Sequence, residues 1–413
     1  MLKPVFLGRP QLTDLLSYGL GLQSMLVCMT TSASAPNFSM ATPDEVLAYI
    51  PHALGFYPRN SVVLLILQQT GLCATLRVDL PLESRGKAEE DLWVRQMINL
   101  VQKVPHADGL FIVFYTGATQ DKSQQWPPRD GLLKSLATSV SAAGLQVRDG
   151  WHVGTKRWHS YFCMDARCCP PEGFPLPDLA LTETHLRMVL AGSAPETELW
   201  DGEGVPRWEN YETIRGMLAE SIEIVSAPEG RETLIAAWAD LLGDDPAIAE
   251  KKIRLQASLS ASLLASLHDK TLRDLLPYLA GRGEKDAFEV MSEILCDTEF
   301  SRVSRNFSEF LLGTTELYPD WERIERLWFI CRDLLGVADG TDHAALLCLL
   351  GWIEWAKGRG SCALALLQAA LRIDRDYRLA QLLMRLLETG EMPLWVTDPV
   401  KAWHRKLDGQ LSA

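Results

Sequence analysis

Two hydrophobic periodicities divide the chain. Thr42-Pro43-Asp44-Glu45 supplies an N-cap, a proline at the first helical position and a glutamate three residues after the cap. It predicts a helix through Val46, Leu47, Tyr49 and Ile50 that stops near Gly55. Ser61 to Leu67 is an unbroken run of β-branched residues and leucine, as in a strand buried on both faces. Cys73 to Leu80 alternates, with Ala74, Leu76, Val78 and Leu80 on one side, and the intervening Gln68-Gln69-Thr70-Gly71 predicts a hairpin. An amphipathic helix over 87–104, a buried strand over 109–115 and a helix from Asp130 to Gly144 follow. Residues 145–153 and 157–163 read as a second hairpin around Gly154-Thr155. Strands joined by hairpins argue against a purely parallel sheet, so this half predicts an α/β sandwich with a mixed sheet.

The alternation ends at the proline-rich loop Pro170-Pro171-Glu172-Gly173-Phe174-Pro175. Beyond it only helical spacing recurs, over 182–192, 208–226, 230–242, 246–267, 269–280, 284–296, 303–312, 320–335, 342–357, 361–373 and 376–389. The expected class is therefore α+β in two domains, the second all-helical. The expected organisation is an N-terminal extension over 1–40, the α/β domain over 41–175, and a proline-rich linker and helix over 176–205. The helical domain then occupies 206–396, with a tail over 397–413. Within the helical half, Leu347, Leu350, Gly351, Ala363, Leu367 and Ala370 fall at the apolar and small positions of a tetratricopeptide repeat, and Tyr377 and Ala380 begin the next helix. Arg375 and Glu354 depart from that pattern and no second copy follows. A lone pair must pack on its neighbours, so ordinary helix packing competes with a peptide-binding groove.

Composition narrows the function classes. The 413 residues are 47% hydrophobic and 23% charged, which is globular. Forty basic against fifty-three acidic side chains give a net charge of -13, which opposes binding to a phosphate backbone. The cluster Lys401, His404, Arg405 and Lys406 reads as a solvated tail. Cys296, Cys331, Cys348 and Cys362 lie in apolar helical stretches and Cys73 at a strand start, usage that fits a reducing cytosol. Leu15 to Met29 is apolar and Ala33-Ser34-Ala35 imitates a signal-peptidase site, yet Gln23, Ser24 and Pro36 oppose export. The run is also too short to span a bilayer. Our expectation is translation from Met29, with the preceding residues disordered or loosely helical. Trp321, Trp328, Trp352 and Trp355 sit among aliphatic residues at helical spacing, as core residues do.

The most unusual stretch runs from Trp151-His152-Val153 through Trp158-His159-Ser160-Tyr161-Phe162-Cys163 to Cys168-Cys169-Pro170. Zinc takes four thiolate or imidazole donors, and Cys163, Cys168, Cys169 and His159 would supply them. Two alternatives stay open. One is a disulfide from Cys163 to Cys168 or Cys169, and the other is structural thiols in a tight loop, the commoner outcome because adjacent side chains rarely face one ion. No cofactor other than zinc is indicated: the glycine pairs lack the spacing of dinucleotide or phosphate loops, and no zinc-protease or nucleophile-elbow motif occurs. In an enzymatic front domain Asp79, Tyr115, Thr116, Arg129 and Asp130 would stand at the strand ends, without a paired acid and base.

Three stretches together resemble a bacterial family catalogued as domain of unknown function 4192. They are Leu54-Gly55-Phe56-Tyr57-Pro58 with Arg77-Val78-Asp79-Leu80-Pro81, the histidine–cysteine stretch to Pro170-Pro171-Glu172-Gly173, and Tyr377-Arg378-Leu379-Ala380 with Pro393-Leu394-Trp395. The resemblance covers residues 40–396 and implies a bacterial, cytosolic protein opening shortly before the capping box; it brings no activity, ligand or cofactor. The leading functional expectation is a non-enzymatic platform for a cytosolic protein partner, without nucleic-acid or membrane binding. Alternatives are a small-molecule-binding or enzymatic α/β domain and a zinc or redox role for the thiol loop.

Overall fold

The computed structural model describes residues 27–31, 41–69, 71–81, 86–117, 129–163, 165–225, 227–296, 301–398 and 400–403. Among them, residues 27–199, 357–361 and 396–403 form one compact unit, and 200–356 with 362–395 form another. The first holds a seven-stranded sheet of β1 (Val27–Thr31), β2 (Ser61–Gln68), β3 (Gly71–Asp79), β4 (Gly109–Tyr115), β5 (Gln146–Val153), β6 (Arg157–Ser160) and β7 (Phe174–Pro175). Its order is β1-β3-β2-β4-β5-β6-β7. All neighbours are antiparallel except β4 and β5, so the sheet is mixed, as the hairpins require. β2 is central and buried from Ser61 through Leu67, which explains its lack of alternation. Three helices accompany the sheet: α1 (Pro43–Leu54), α2 (Lys87–Gln102) and α3 (Asp130–Ala142). Gly55, left-handed at φ 84, terminates α1 and donates its N–H to the Pro51 carbonyl. The capping box does not form as expected: the Thr42 side chain caps nothing, and Glu45 accepts from the N–H of Ala41, one residue before the cap, at 3.1 Å.

Two strands depart from the sequence expectation. The disordered or loosely helical segment expected before Met29 instead gives Val27 and Cys28 to a strand, because Val27–Thr31 pair with Val78–Ala74 and cover the β3 edge. An open edge of a half-buried strand recruits any β-competent segment, and Val-Cys-Met-Thr-Thr is one. The rest of the expected extension over 1–40 lies outside the described residues, except Val27–Thr31. β7 arises inside the proline-rich loop, pairing with Arg157 and Trp158, where Phe174 stacks on Trp158 at 4.3 Å between ring centroids. Proline is tolerated there because the strand lies at the sheet edge. A turn of 3-10 helix (Leu176–Leu181) and α4 (Glu183–Leu190) complete this stretch.

The second unit contains α5 (Tyr211–Val225), α6 (Pro228–Gly243), α7 (Pro246–Leu255), α8 (Ala257–Ser266), α9 (Lys270–Arg282) and α10 (Glu284–Cys296). It continues with α11 (Arg302–Leu311), α12 (Trp321–Leu334), α13 (Gly340–Ala356), α14 (Gly360–Ile373, from Cys362 onward) and α15 (Arg378–Glu388). The single helix expected over 246–267 breaks at Gln256 because two side chains take its last carbonyls: Ser260 Oγ donates to the Ile253 oxygen at 2.5 Å and Asn210 to the Arg254 oxygen at 3.1 Å. Phe310 centres the core, 6.0 Å from the Trp352 ring and 5.6 Å from Trp395. Trp352 donates to the Leu311 carbonyl and Trp355 to that of Glu391, which satisfies these two buried indoles. Trp321 and Trp328 are half-buried instead. Gly351 lets α13 approach Leu367 of α14, the close contact expected of the repeat-like pair. Among the described residues, no helix is long and apolar enough to cross a membrane.

Candidate thiolate site

β6 leads directly into the thiol loop. Trp158 and His159 are buried on it, held between β5 and β7. Past the strand, Ser160 Oγ accepts from the N–H groups of Phe162 at 3.2 Å and Cys163 at 3.0 Å, bending the chain outward. The Phe162 ring lies over Gly150, where even a Cβ would come within 3.0 Å of it. A second turn brings the chain back: the Asp165 carbonyl accepts from the N–H of Cys168 at 3.1 Å and of Cys169 at 2.8 Å. The Asp165 carboxylate takes the Arg167 N–H and guanidinium, fixing that turn from its own side.

These two turns gather the sulfurs that sequence spacing left uncertain. The ligand atoms of Cys163, Cys168 and Cys169 all lie within 4.8 Å of one another. Sγ of Cys163 and Cys168 stand 3.1 Å apart, and those of Cys168 and Cys169 stand 3.8 Å apart. Two thiolates at about 2.3 Å from one tetrahedral zinc would be separated by about 3.8 Å. Packing does not explain the cluster, since Cys168 is exposed and its two companions are half-exposed. Cys331, Cys348 and Cys362, by contrast, are buried as small hydrophobes.

The three thiols share their protons unequally. Hydrogen bonds from Cys168 and then Cys169, with the main chain at Asp165, hold the Cys163 thiol below its ordinary range. Burial, followed by bonding to Cys163 and Cys168, pushes Cys169 up to about 12. Deprotonation is therefore easier at Cys163 than at Cys169.

His159, the fourth donor expected from sequence, is not one of the gathered atoms. Its ring rests against Gly173, which sits at φ 76 and has no room for a Cβ. Burial lowers its basicity, while hydrogen bonds to the main chain at Glu172 and Pro171 work in the opposite direction. It supports the loop from beneath, with His152 behind it at 6.1 Å between ring centroids. His152 bonds Thr116 Oγ1 at 2.8 Å, and burial, with His159 adding to it, lowers its pKa to about 4.

The polar residues expected at the strand ends are each engaged structurally. Asp79 pairs with Arg77 at 2.5 Å, and its carbonyl accepts from Trp93. Its register places it opposite Ser61, which in turn faces Tyr115. Burial drives the Tyr115 phenol far above its usual range, so it is a poor proton donor. Thr116 serves His152, Arg129 donates to the Pro81 carbonyl at 3.0 Å, and Asp130 pairs with Lys134 at 2.6 Å. A depression of about 550 Å³ beside Phe162 is walled by Ala137, Ser141, Leu145, Gln146 and Arg148, the last paired with Asp108.

The molecule thus combines a mixed-sheet α/β unit carrying a three-thiol loop with a unit of packed helices. A family model described as Domain of unknown function (DUF4192) matches residues 43–299 and 310–393, and the chain belongs to that family. No curated protein and no solved structure matches it.

Proposed function

We propose that this protein binds a soft metal ion, zinc being the best fit, through Cys163, Cys168 and Cys169, with an exchangeable fourth ligand. The observation that supports this most is the convergence of three sulfurs on an exposed loop that no hydrophobic packing requires. Thiolates select zinc and similar soft ions over magnesium or calcium. Structural zinc sites close their tetrahedron with four protein donors, whereas three donors leave a position for water or an incoming group. The loop therefore suits an ion that is reached from solvent, for exchange or for activating a bound molecule. The platform role expected of the helix pair has less support. α13 is buried without interruption from Ala344 to Ala356, so its surface is used in packing rather than offered as a groove.

Elemental analysis of anaerobically purified, reduced protein tests this reading. It predicts about one zinc per chain, falling to near zero in Cys168→Ser, while less than about half an equivalent in the parent protein would retire it.

A further inference from the structure

The separations within the thiol cluster are unequal, and the shorter one carries a second chemistry. We infer that Cys163 and Cys168 close a disulfide on reaction with a hydroperoxide, and that closure discharges the metal site. The second half rests on the proposed metal binding; the first stands on geometry alone.

At 3.1 Å, the Cys163 and Cys168 sulfurs are closer than two thiolates on one tetrahedral ion, about 3.8 Å, and further apart than a disulfide, about 2.05 Å. Bond formation therefore asks for roughly 1 Å of sulfur movement. Each partner is held by a different turn, Cys163 by Ser160 Oγ and Cys168 by the Asp165 carbonyl, so both are presented without rearranging β6. Cys168 and Cys169 are adjacent in sequence and start at 3.8 Å, with a directly bonded backbone that resists disulfide geometry. Cys168 is exposed, which gives an oxidant access to the pair.

The chemistry balances with the peroxide as oxidant. One thiolate attacks a peroxide oxygen, the O–O bond breaks, and the departing oxygen leaves as water or an alcohol after taking a proton. The attacking sulfur becomes a sulfenic acid. The second thiolate attacks that sulfur, an S–S bond forms, the S–O bond breaks, and hydroxide leaves as water after protonation. Two thiols have then given two electrons to one peroxide. The metal site loses two of its three anionic donors, and Cys169 alone cannot retain zinc.

The test uses the full-length chain and hydrogen peroxide. In metal-free protein, alkylation and peptide mapping after one equivalent of peroxide should show two thiols lost and a Cys163–Cys168 link, reversed by a dithiol reductant. Cys169→Ser should form the same link, and Cys168→Ser should instead leave a sulfenic acid on Cys163 that a dimedone-type reagent traps. A link to Cys169, or both residues still fully alkylatable, would overturn the inference. In zinc-loaded protein, released zinc should track disulfide one to one, and a disulfide forming with zinc retained would overturn the discharge step. If the reduced protein binds no zinc, the metal reading and the discharge step both fall, while the metal-free arm still decides the disulfide.

Discussion

His152 ties the stability of the front unit to pH. Its pKa falls from 6.5 in an unfolded chain to about 4 in the folded one, because burial disfavours the imidazolium. Between those values the unfolded chain binds a proton that the folded chain does not, so stability is whole above pH 6.5 and declines as pH drops toward 4. The shift corresponds to about 3 kcal/mol. Burial depresses His159 in the same direction. Urea midpoints recorded from pH 7 to pH 4.5 should therefore fall more steeply for the parent protein than for His152→Gln, and parallel curves would contradict this. Gly173→Ala should destabilise by about 1–3 kcal/mol, since it imposes a strained φ and drives a methyl into the His159 ring. A variant as stable as the parent by urea denaturation would show that the ring does not rest there.

At this scale the sequence was a partial guide. The crowding of Cys163, Cys168 and Cys169 marked the loop, but spacing alone argued against convergence, because it cannot show two backbone turns stabilised by Ser160 and Asp165. The reverse holds for His159. Its place on a strand beside Cys163 suggested a fourth ligand, whereas the glycine at 173 opened a pocket that draws the ring the other way.

Among the elements, hydrophobic period was a reliable signal wherever local pattern and burial agree. β2 and β3 form the hairpin that Gln68–Gly71 suggested, with Gln69 left-handed at φ 54. The helices of the second unit lie close to their apolar repeats. The exceptions depend on long-range partners: β1 exists because β3 needs an edge neighbour, β7 because Phe174 finds Trp158, and the break at Gln256 because Asn210 reaches Arg254. None of these is visible in a window of ten residues. Gly281 gives an element-scale test. Alanine there would add about 1 kcal/mol of helix propensity to α9, but its methyl would overlap the Phe310 ring. Overpacking outweighs propensity, so Gly281→Ala should lower stability by about 1–2 kcal/mol, and a raised urea midpoint would mean that the α9–α11 contact is looser than described.

For the whole molecule, the two kinds of architecture differ in what they leave exposed. The sheet, closed at its β1 and β7 edges by short strands, gives a rigid base for a loop whose chemistry is exposed. The helices invest their small residues, Gly351 and Gly281 among them, in close packing rather than in an open groove. A net charge of -13 fits attraction of a cation better than of an anion, without selecting a site by itself. The proposed metal site requires that three thiolates bind one ion. Cobalt(II) titration of the reduced full-length chain, followed by its thiolate-to-metal charge-transfer and ligand-field absorption, decides this. Saturation at about one equivalent is expected, with charge-transfer intensity appropriate to three thiolates that is lost in Cys168→Ser. Weak, featureless spectra of octahedral aqueous cobalt throughout the titration would contradict it.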